Sequence, residues 1–481
     1  MKVSVVKDEK LNYNVVFPFN PSIDYPEYPF KGNLSEHNLI YDKVRELFKA
    51  LALDEKNFGA ENWNPLGEII SPGDNVLLKP NWVCHLYRKT MKMDTMISSS
   101  ILTRAVLDYV CIALKGKGSV TIGDAPIDVA QFDEILNVLN IDKIVDFYKT
   151  QKIEVKLVDF RNEIAIKKNG MIVKRIKLKG DPLGYTVVDL GRDSELMEII
   201  GYNSKFRSLE YDPNLIVTHH NDTVNEYLIP NTVLTADVII NLPKLKTHKK
   251  AGITAALKNM IGIMAAKEWL PHHRRGSKDE GCDEYLCVDW RKRQMGIFTD
   301  IIDGSKNIFI RRFFQILRKL FSLSGKFLPF NCPYFEGSWR GNETISKTIT
   351  DLNKIIFYAS KDGKMSDKKQ RKMFVLVDGI VAGEGEGPLR PSSKQCGLLI
   401  AGSNPASVDL VCSKIMGFDY LKIPTLTQVL KIRKYKLMDF SEGKIIMLDK
   451  NAQINFEDIP KAYNFHFKPA SGWQGFIEAK E

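Results

Sequence analysis

The chain has 481 residues, 44% apolar and 26% charged, with a formal net charge of +11. That balance is ordinary for a globular protein and excludes disorder, collagen-like repeats and a polytopic membrane protein, since no stretch reaches the roughly 18 uninterrupted apolar residues of a spanning helix. The excess of base is local. Lys306, Arg311, Arg312, Arg318, Lys319 and Lys326 supply about half of it with no acid among them, which argues against a broad nucleic-acid face.

Seven cysteines lie scattered, without a CxxC pair or a ferredoxin-type run. Neither a zinc ribbon, a disulfide framework nor an iron–sulfur cluster is expected. Met1–Asp8 turns acidic too soon for a signal peptide, so a cytoplasmic location is expected.

Residues 1–70 read as a peripheral segment, rich in Pro and Asn, with one helix near 41–53. A train of short apolar runs ended by turn residues follows. Val76-Leu77-Leu78 meets Lys79-Pro80-Asn81-Trp82, and Val120-Thr121-Ile122 meets Gly123-Asp124-Ala125-Pro126. Val155–Val158 meets Asp159, Val238-Ile239-Ile240 meets Asn241-Leu242-Pro243-Lys244, and Phe374–Val377 meets Asp378-Gly379. Helical spacing fills the gaps at 101–113 and 132–148. Strands alternating with helices predict an α/β fold: a mostly parallel sheet, helices on both faces, and a ligand crevice at the C-terminal strand ends. The core spans 71–300 and 346–425, around a basic amphipathic insertion at 301–345 and before a C-terminal extension at 426–481.

Chemistry is densest in 235–267. Lys244-Leu245-Lys246-Thr247-His248-Lys249-Lys250 leads into Ala251-Gly252 and on to Lys258-Asn259. Basic residues ahead of a Gly-started helix suit a phosphate or carboxylate, through free N–H groups, the helix dipole and lysine point charges. The glycine spacing of a Walker loop is absent. The alternative is a solvated basic loop. Lys258-Asn259 inside an apolar frame weighs against it, because such a pair is costly to bury without a partner. The anion-binding candidates are Lys79, Asn81, Lys244, Lys246, Thr247, Lys258 and Asn259.

Four of the eight histidines come as adjacent pairs, His219-His220 and His272-His273. On an extended segment one of each pair would face a site. His220, His272 and His248 are candidate acid/base catalysts near neutral pH. His219, His273, Asp124, Asp283 and Glu284, with Glu384 and Glu386 of a Gly-Glu-Gly-Glu-Gly run, are the candidate ligands for a divalent metal. In the insertion, Phe309, Phe313, Ile316, Leu317 and Leu320 share one helical face, with Arg311, Arg318 and Lys319 mostly off it. That pattern suits peripheral membrane contact through Arg311, Arg312, Phe313, Phe314, Arg318 and Lys319, or an amphipathic helix packed on the body.

The segment Ala236–His248, followed by Thr254–Gly262, resembles the signature of domain-of-unknown-function family 362. Val76–Val83, Gly123–Pro126, Asp378–Pro388 and the Asn404–Asp409 turn resemble it too. Many members carry a ferredoxin-like cysteine module, which is missing here, so electron transfer is not implied. Leu270-Pro271-His272-His273 and Gly337-Ser338-Trp339-Arg340-Gly341-Asn342 look like longer relatives associated with surface-polysaccharide and glycolipid assembly. Two functions are expected of such a chain. One is an enzyme acting on an anionic substrate, such as a sugar phosphate or lipid-linked glycan, with or without a metal. The other is a non-catalytic protein that binds an anionic glycolipid or recruits a partner at the membrane.

Overall fold

The computed structural model describes every residue except 86–92, 169–170, 209–210, 331, 451 and 481. In chain order, its first elements are β1 (Lys2–Lys7), α1 (Leu39–Ala50), β2 (Asn75–Pro80), α2 (Ser100–Leu114) and β3 (Ser119–Asp124). The helical pattern at 132–148 divides into α3 (Phe132–Val138) and α4 (Ile141–Thr150), because Asn140 between them takes a left-handed φ of 53°. Next come β4 (Val155–Asp159) and, beyond the short strands and helices of 163–235 that lie outside the main sheet, β5 (Val238–Leu242), β6 (Lys244–His248), β7 (Gly252–Thr254) and the four-residue α5 (Ala256–Asn259). The chain continues through α6 (Trp290–Gly304), α7 (Ile308–Phe327), α8 (Thr344–Tyr358), β8 (Lys372–Glu386), β9 (Arg390–Gly402), α9 (Pro405–Ile415), β10 (Ile446–Asp449) and β11 (Ala452–Asn455).

These eleven strands form one mostly parallel sheet, nine of them in the order β11-β10-β1-β9-β8-β5-β2-β3-β4, with β6 pairing off that path with β8 and β7. The five apolar runs of the sequence are its parallel centre, β8-β5-β2-β3-β4. Their near-continuous hydrophobicity reflects burial on both faces. Val76, Leu78, Val238 and Ile240 pack with α1 and α2 on one side. Leu77 and Ile239 pack with α8 and α9 on the other.

Pro243 cannot donate to a ladder, and it splits what is otherwise one long strand. β5 pairs with the first part of β8, and β6 takes over the same edge farther along, Lys244 opposite Asp378.

Two features depart from the sequence reading. Residues 2–7 are not peripheral: β1 lies between β9 and β10, with Val3, Val5 and Val6 fully buried. The basic run Lys244–His248 is neither a loop nor the lead-in to a long helix but a wholly buried strand. No helix of the described residues is long and apolar enough to cross a membrane.

Candidate functional site

The parallel strands end side by side, and their last residues form a buried polar network. Lys79 Nζ pairs with Asp124 Oδ1 at 2.8 Å, and Asp124 Oδ2 accepts from Trp82 N at 2.7 Å. Asn81 Nδ2 donates to Asn259 Oδ1 at 2.9 Å, and Asn259 Nδ2 to Asn241 Oδ1 at 2.8 Å. Lys244 Nζ lies 3.2 Å from Asp378 Oδ2 and donates to Tyr13 Oη at 2.7 Å. Lys79, Lys244, Asn81 and Asn259 therefore hold each other or local acids. Their polar atoms lock the strand ends together.

A two-residue period puts Lys244, Lys246 and His248 on one face of β6 and turns Leu245 into the core. Thr247 also turns away, its hydroxyl donating to Gly385 O at 2.8 Å. Beyond β6 the chain returns through α5 and a turn at 260–263. Gly262 sits on the Lys79–Asp124 pair so closely that a Cβ there would lie 2.0 Å from Asp124 Oδ1. That contact and the 2.8 Å bond from Ala125 N to Gly262 O pin the turn across the strand ends.

Lys246, Lys250, Lys258 and Lys267 lie near enough to one another and to His248 and His272 that each lysine lowers the pKa of another member of the group. Among the described residues the lysines have only neutral partners. Lys246 donates to Asn81 Oδ1 at 2.8 Å and to Met96 O, Lys250 to Glu336 O, and Lys267 to Ala125 O at 2.9 Å. Lys258, half-buried, has no hydrogen-bond or ion-pair partner among the described residues. Burial first, and neighbouring lysines second, hold Lys258 at about 8 against an ordinary 10.5. Burial likewise brings Lys250 and Lys267 to about 8, and Lys246 well below its ordinary value.

The two histidines of this cluster present opposite chemistry. His248 Nδ1 accepts from the N–H groups of Lys250 and Ala251, each at 3.1 Å, so the neutral ring carries its proton on Nε2. His272 Nδ1 donates to Leu270 O at 2.8 Å, which leaves a lone pair on Nε2. Burial, followed by Lys250, pushes His272 down to about 3, and burial with Lys258 pushes His248 well below its ordinary value. Both rings are neutral at pH 7.

His272 is placed by a segment far away in sequence. Asn342 Nδ2 donates to His272 O at 3.0 Å and Gly337 O at 2.9 Å, and Trp339 Nε1 donates to Asp283 O at 2.9 Å. The Leu270–His273 and Gly337–Asn342 motifs thus build one corner together.

The helix N-terminus is not open to a ligand. α5 is one turn long, and Asp409 caps it, accepting from Ala256 N at 2.6 Å and Leu257 N at 3.0 Å. Burial raises that carboxyl to about 7.

His220 lies outside the lysine cluster. The His219-His220 pair ends a helix, Pro213–His219, instead of lying in an extended segment. His220 bonds to Trp269 O at 2.7 Å and Asn225 Oδ1 at 3.3 Å, and burial lowers it to about 4.

The metal-ligand candidates are dispersed. His219 stacks on Trp269 and bonds to Glu226. Asp124 serves Lys79, Glu284 pairs with Arg275, and Asp283 accepts from Thr344. Glu384 pairs with Lys394 and Glu386 accepts from Ser471 N, both from inside β8 and not from a loop. His273 lines a cavity that His272 does not. Among the described residues no three His, Cys, Asp or Glu side chains gather as a metal site requires.

Sequence reasoning passed over Lys250 and Lys267. Lys267 carries the same signal as Lys258, a lysine ending an apolar run, here Ile261–Ala266.

Residues 194–414 match the family described as domain of unknown function DUF362. The match takes in the lysine cluster, Asn342 and Asp409, and the fold brings Lys79, Asn81 and Asp124 to it from outside those bounds. The thylakoid-associated protein sll1697 of Synechocystis sp. (strain ATCC 27184 / PCC 6803 / Kazusa) is 23% identical over 205 residues, 43% of this chain and 40% of that protein. This chain therefore spans less than half the length of that relative. A crystal structure of a protein from Thermotoga maritima aligns over 73% of this chain and 54% of its own at 10% identity, with a TM-score of 0.30. Over residues 194–414, the chain is similar to the DUF362 family.

Proposed function

We propose that the lysine cluster is the centre of an enzyme that binds a phosphorylated or carboxylated small molecule. The observation that carries this reading is the set of four buried or half-buried lysines without an ion pair among the described residues, three bonded to neutral oxygens and Lys258 to none. The more distant carboxylates, Glu336 and Glu284 near Lys250 and Asp124 and Asp128 near Lys267, offset burial only in part, and ammonium groups without an ion-pair partner are costly away from water. An anion seated among them would return their pKa values toward normal and offset that cost. Lys246, Lys250, Lys258 and Lys267 supply the charge, and His248 Nε2–H supplies a directional donor. His272 Nε2 supplies a lone pair able to take a proton from the bound molecule. Its weak basicity rises once the neighbouring positive charge is neutralised.

The depression of both histidines also supports a second reading, a binding protein without turnover. Calorimetry with inorganic phosphate, pyrophosphate and citrate, against chloride, tests the shared claim of an anion site. Binding that Lys258→Met weakens tenfold or more is expected, and no binding of any of these anions by the wild type overturns the reading. His272→Gln separates the alternatives. An enzyme keeps its anion and loses turnover of phosphorylated or carboxylated substrates, whereas a binder keeps its anion and has no turnover in either form.

A further inference from the structure

The helix α7 buries none of its residues fully. Its inner face packs on α6 through Phe298, which meets Phe314 at 5.5 Å and Phe321 at 5.4 Å between ring centroids. Arg311 also turns inward, its Nε donating to Ile302 O at 2.8 Å. The outer face is a continuous apolar row: Phe309, Phe313, Ile316, Leu320 and Phe327 recur at the spacing of one helical face and are all exposed, Phe327 by 91%. Arg312, Lys319 and Lys326 flank that row on one side, and α7 contains no acid.

Behind the same flank lies a cavity of about 680 Å³ between α6, α7 and the segment after Pro271. Ile316 and Lys319 line it, so the apolar row and the cavity share an edge. His273, only 2% exposed, lines its inner wall with both ring nitrogens unpartnered, 4.0 Å from the nearest carboxylate, Glu284. A buried imidazole with two unused hydrogen-bonding atoms is an unmet demand for a polar ligand. Lys292 and Arg318 add positive charge to the wall, with Glu284 and Glu336 opposing them, and Glu284 is already paired with Arg275 at 2.5 Å. None of the lysines of the proposed anion centre lines this cavity, so the two sites stand or fall separately.

We propose that the α6–α7 hairpin docks on an anionic lipid surface, with the apolar row entering the acyl-chain boundary and the cavity beside it receiving a lipid phosphate. The order of features around α7 matches the order of chemistry across a membrane interface: hydrocarbon at the exposed row, cations at its flank, and a polar recess behind them. A row flanked by charge of one sign is complementary to a surface of the other sign. Packing two copies through this face would set the like-charged flanks against each other.

The test is flotation of the full chain with vesicles of phosphatidylcholine alone and of phosphatidylcholine mixed equally with phosphatidylglycerol. Binding to the mixed vesicles at least about tenfold tighter than to the neutral ones is expected, since each basic residue near the surface adds to anionic attraction. Phe309→Ser with Phe313→Ser should abolish flotation, and Arg318→Glu with Lys319→Glu should abolish the preference for anionic vesicles. All four side chains lie at the surface or cavity edge, and unchanged melting curves will show that the variants fold. Three results would overturn the proposal. One is equal binding to both vesicle types. Another is self-association in sedimentation that the double Phe variant removes, which makes the row an interface between copies. The third is binding of glycerol phosphate in solution without any flotation, which makes the cavity a site for a free phosphate.

Discussion

Lys258 carries the charge that most directly tests the proposed centre, and Lys258→Met removes it while keeping an unbranched stem. Bringing an ammonium group from an ordinary 10.5 to about 8 corresponds to about 3 kcal/mol at about 1.4 kcal/mol per tenfold change. Lys258 is half-buried, and solvent screening reduces the figure to about 1–2 kcal/mol. The sign follows from linkage. Between about 8 and 10.5 the unfolded chain holds the proton more tightly than the folded one, so stability rises with pH through that window. Below 8 the lysine is charged in both states and the full penalty applies. In chloride at pH 7, the variant should therefore be more stable than the wild type by about 1–2 kcal/mol. The gap should narrow near about pH 9.5. In phosphate the order should close or reverse, because the wild type gains a bound anion and the variant gains less. Urea unfolding under these three conditions reads all the terms. A variant less stable than wild type in chloride at pH 7, with an unchanged gain from phosphate, would show that Lys258 is not an uncompensated charge and would refute the reasoning.

Two further predictions concern the frame around the cluster. Lys79→Met leaves Asp124 buried without its cation and should cost about 3–5 kcal/mol in chemical denaturation; a loss below about 1 kcal/mol would mean that the pair is not what locks the strand ends. Asp409 is held at about 7, above the ordinary carboxyl value, so the folded state retains its proton longer than the unfolded chain. Its contribution to stability should fall as pH rises from about 4 to about 7, by about 2–4 kcal/mol, and Asp409→Asn should remove that slope. Parallel unfolding slopes for the two proteins across this range would refute the assignment.

The architecture was legible because its signals are local. Five apolar runs ended by polar turns mark the parallel strands, since a strand covered on both faces must be apolar throughout. Those turns also foretold the polar strand ends, where Lys79 meets Asp124, Asn259 joins Asn81 to Asn241, and Asp378 meets Lys244. The spacing of Phe309, Phe313, Ile316 and Leu320 marked the amphipathic face of α7. The basic run Lys244–His248 misled, because its charge says loop while its position says strand. A lysine can be buried in a sheet when distant partners accept its hydrogen bonds, and those partners, Asp378, Tyr13 and Asn81, are not neighbours in the chain.

What the linear order of residues determined, then, is the α/β sheet, the polar ends of its parallel strands and the presence of excess base at 244–258. Which lysines are neutralised was decided only by tertiary structure. Lys79 and Lys244 meet carboxylates brought by β3 and β8, whereas Lys246, Lys250 and Lys267 meet neutral oxygens and Lys258 meets neither among the described residues. The histidines divide in the same way. His248 and His272 join the cluster, His220 is held by Trp269, and His273 turns to the α7 cavity. The physical reason is that charge compensation depends on distances across the sheet and its crossovers. Those distances follow from packing, and no spacing along the chain encodes them.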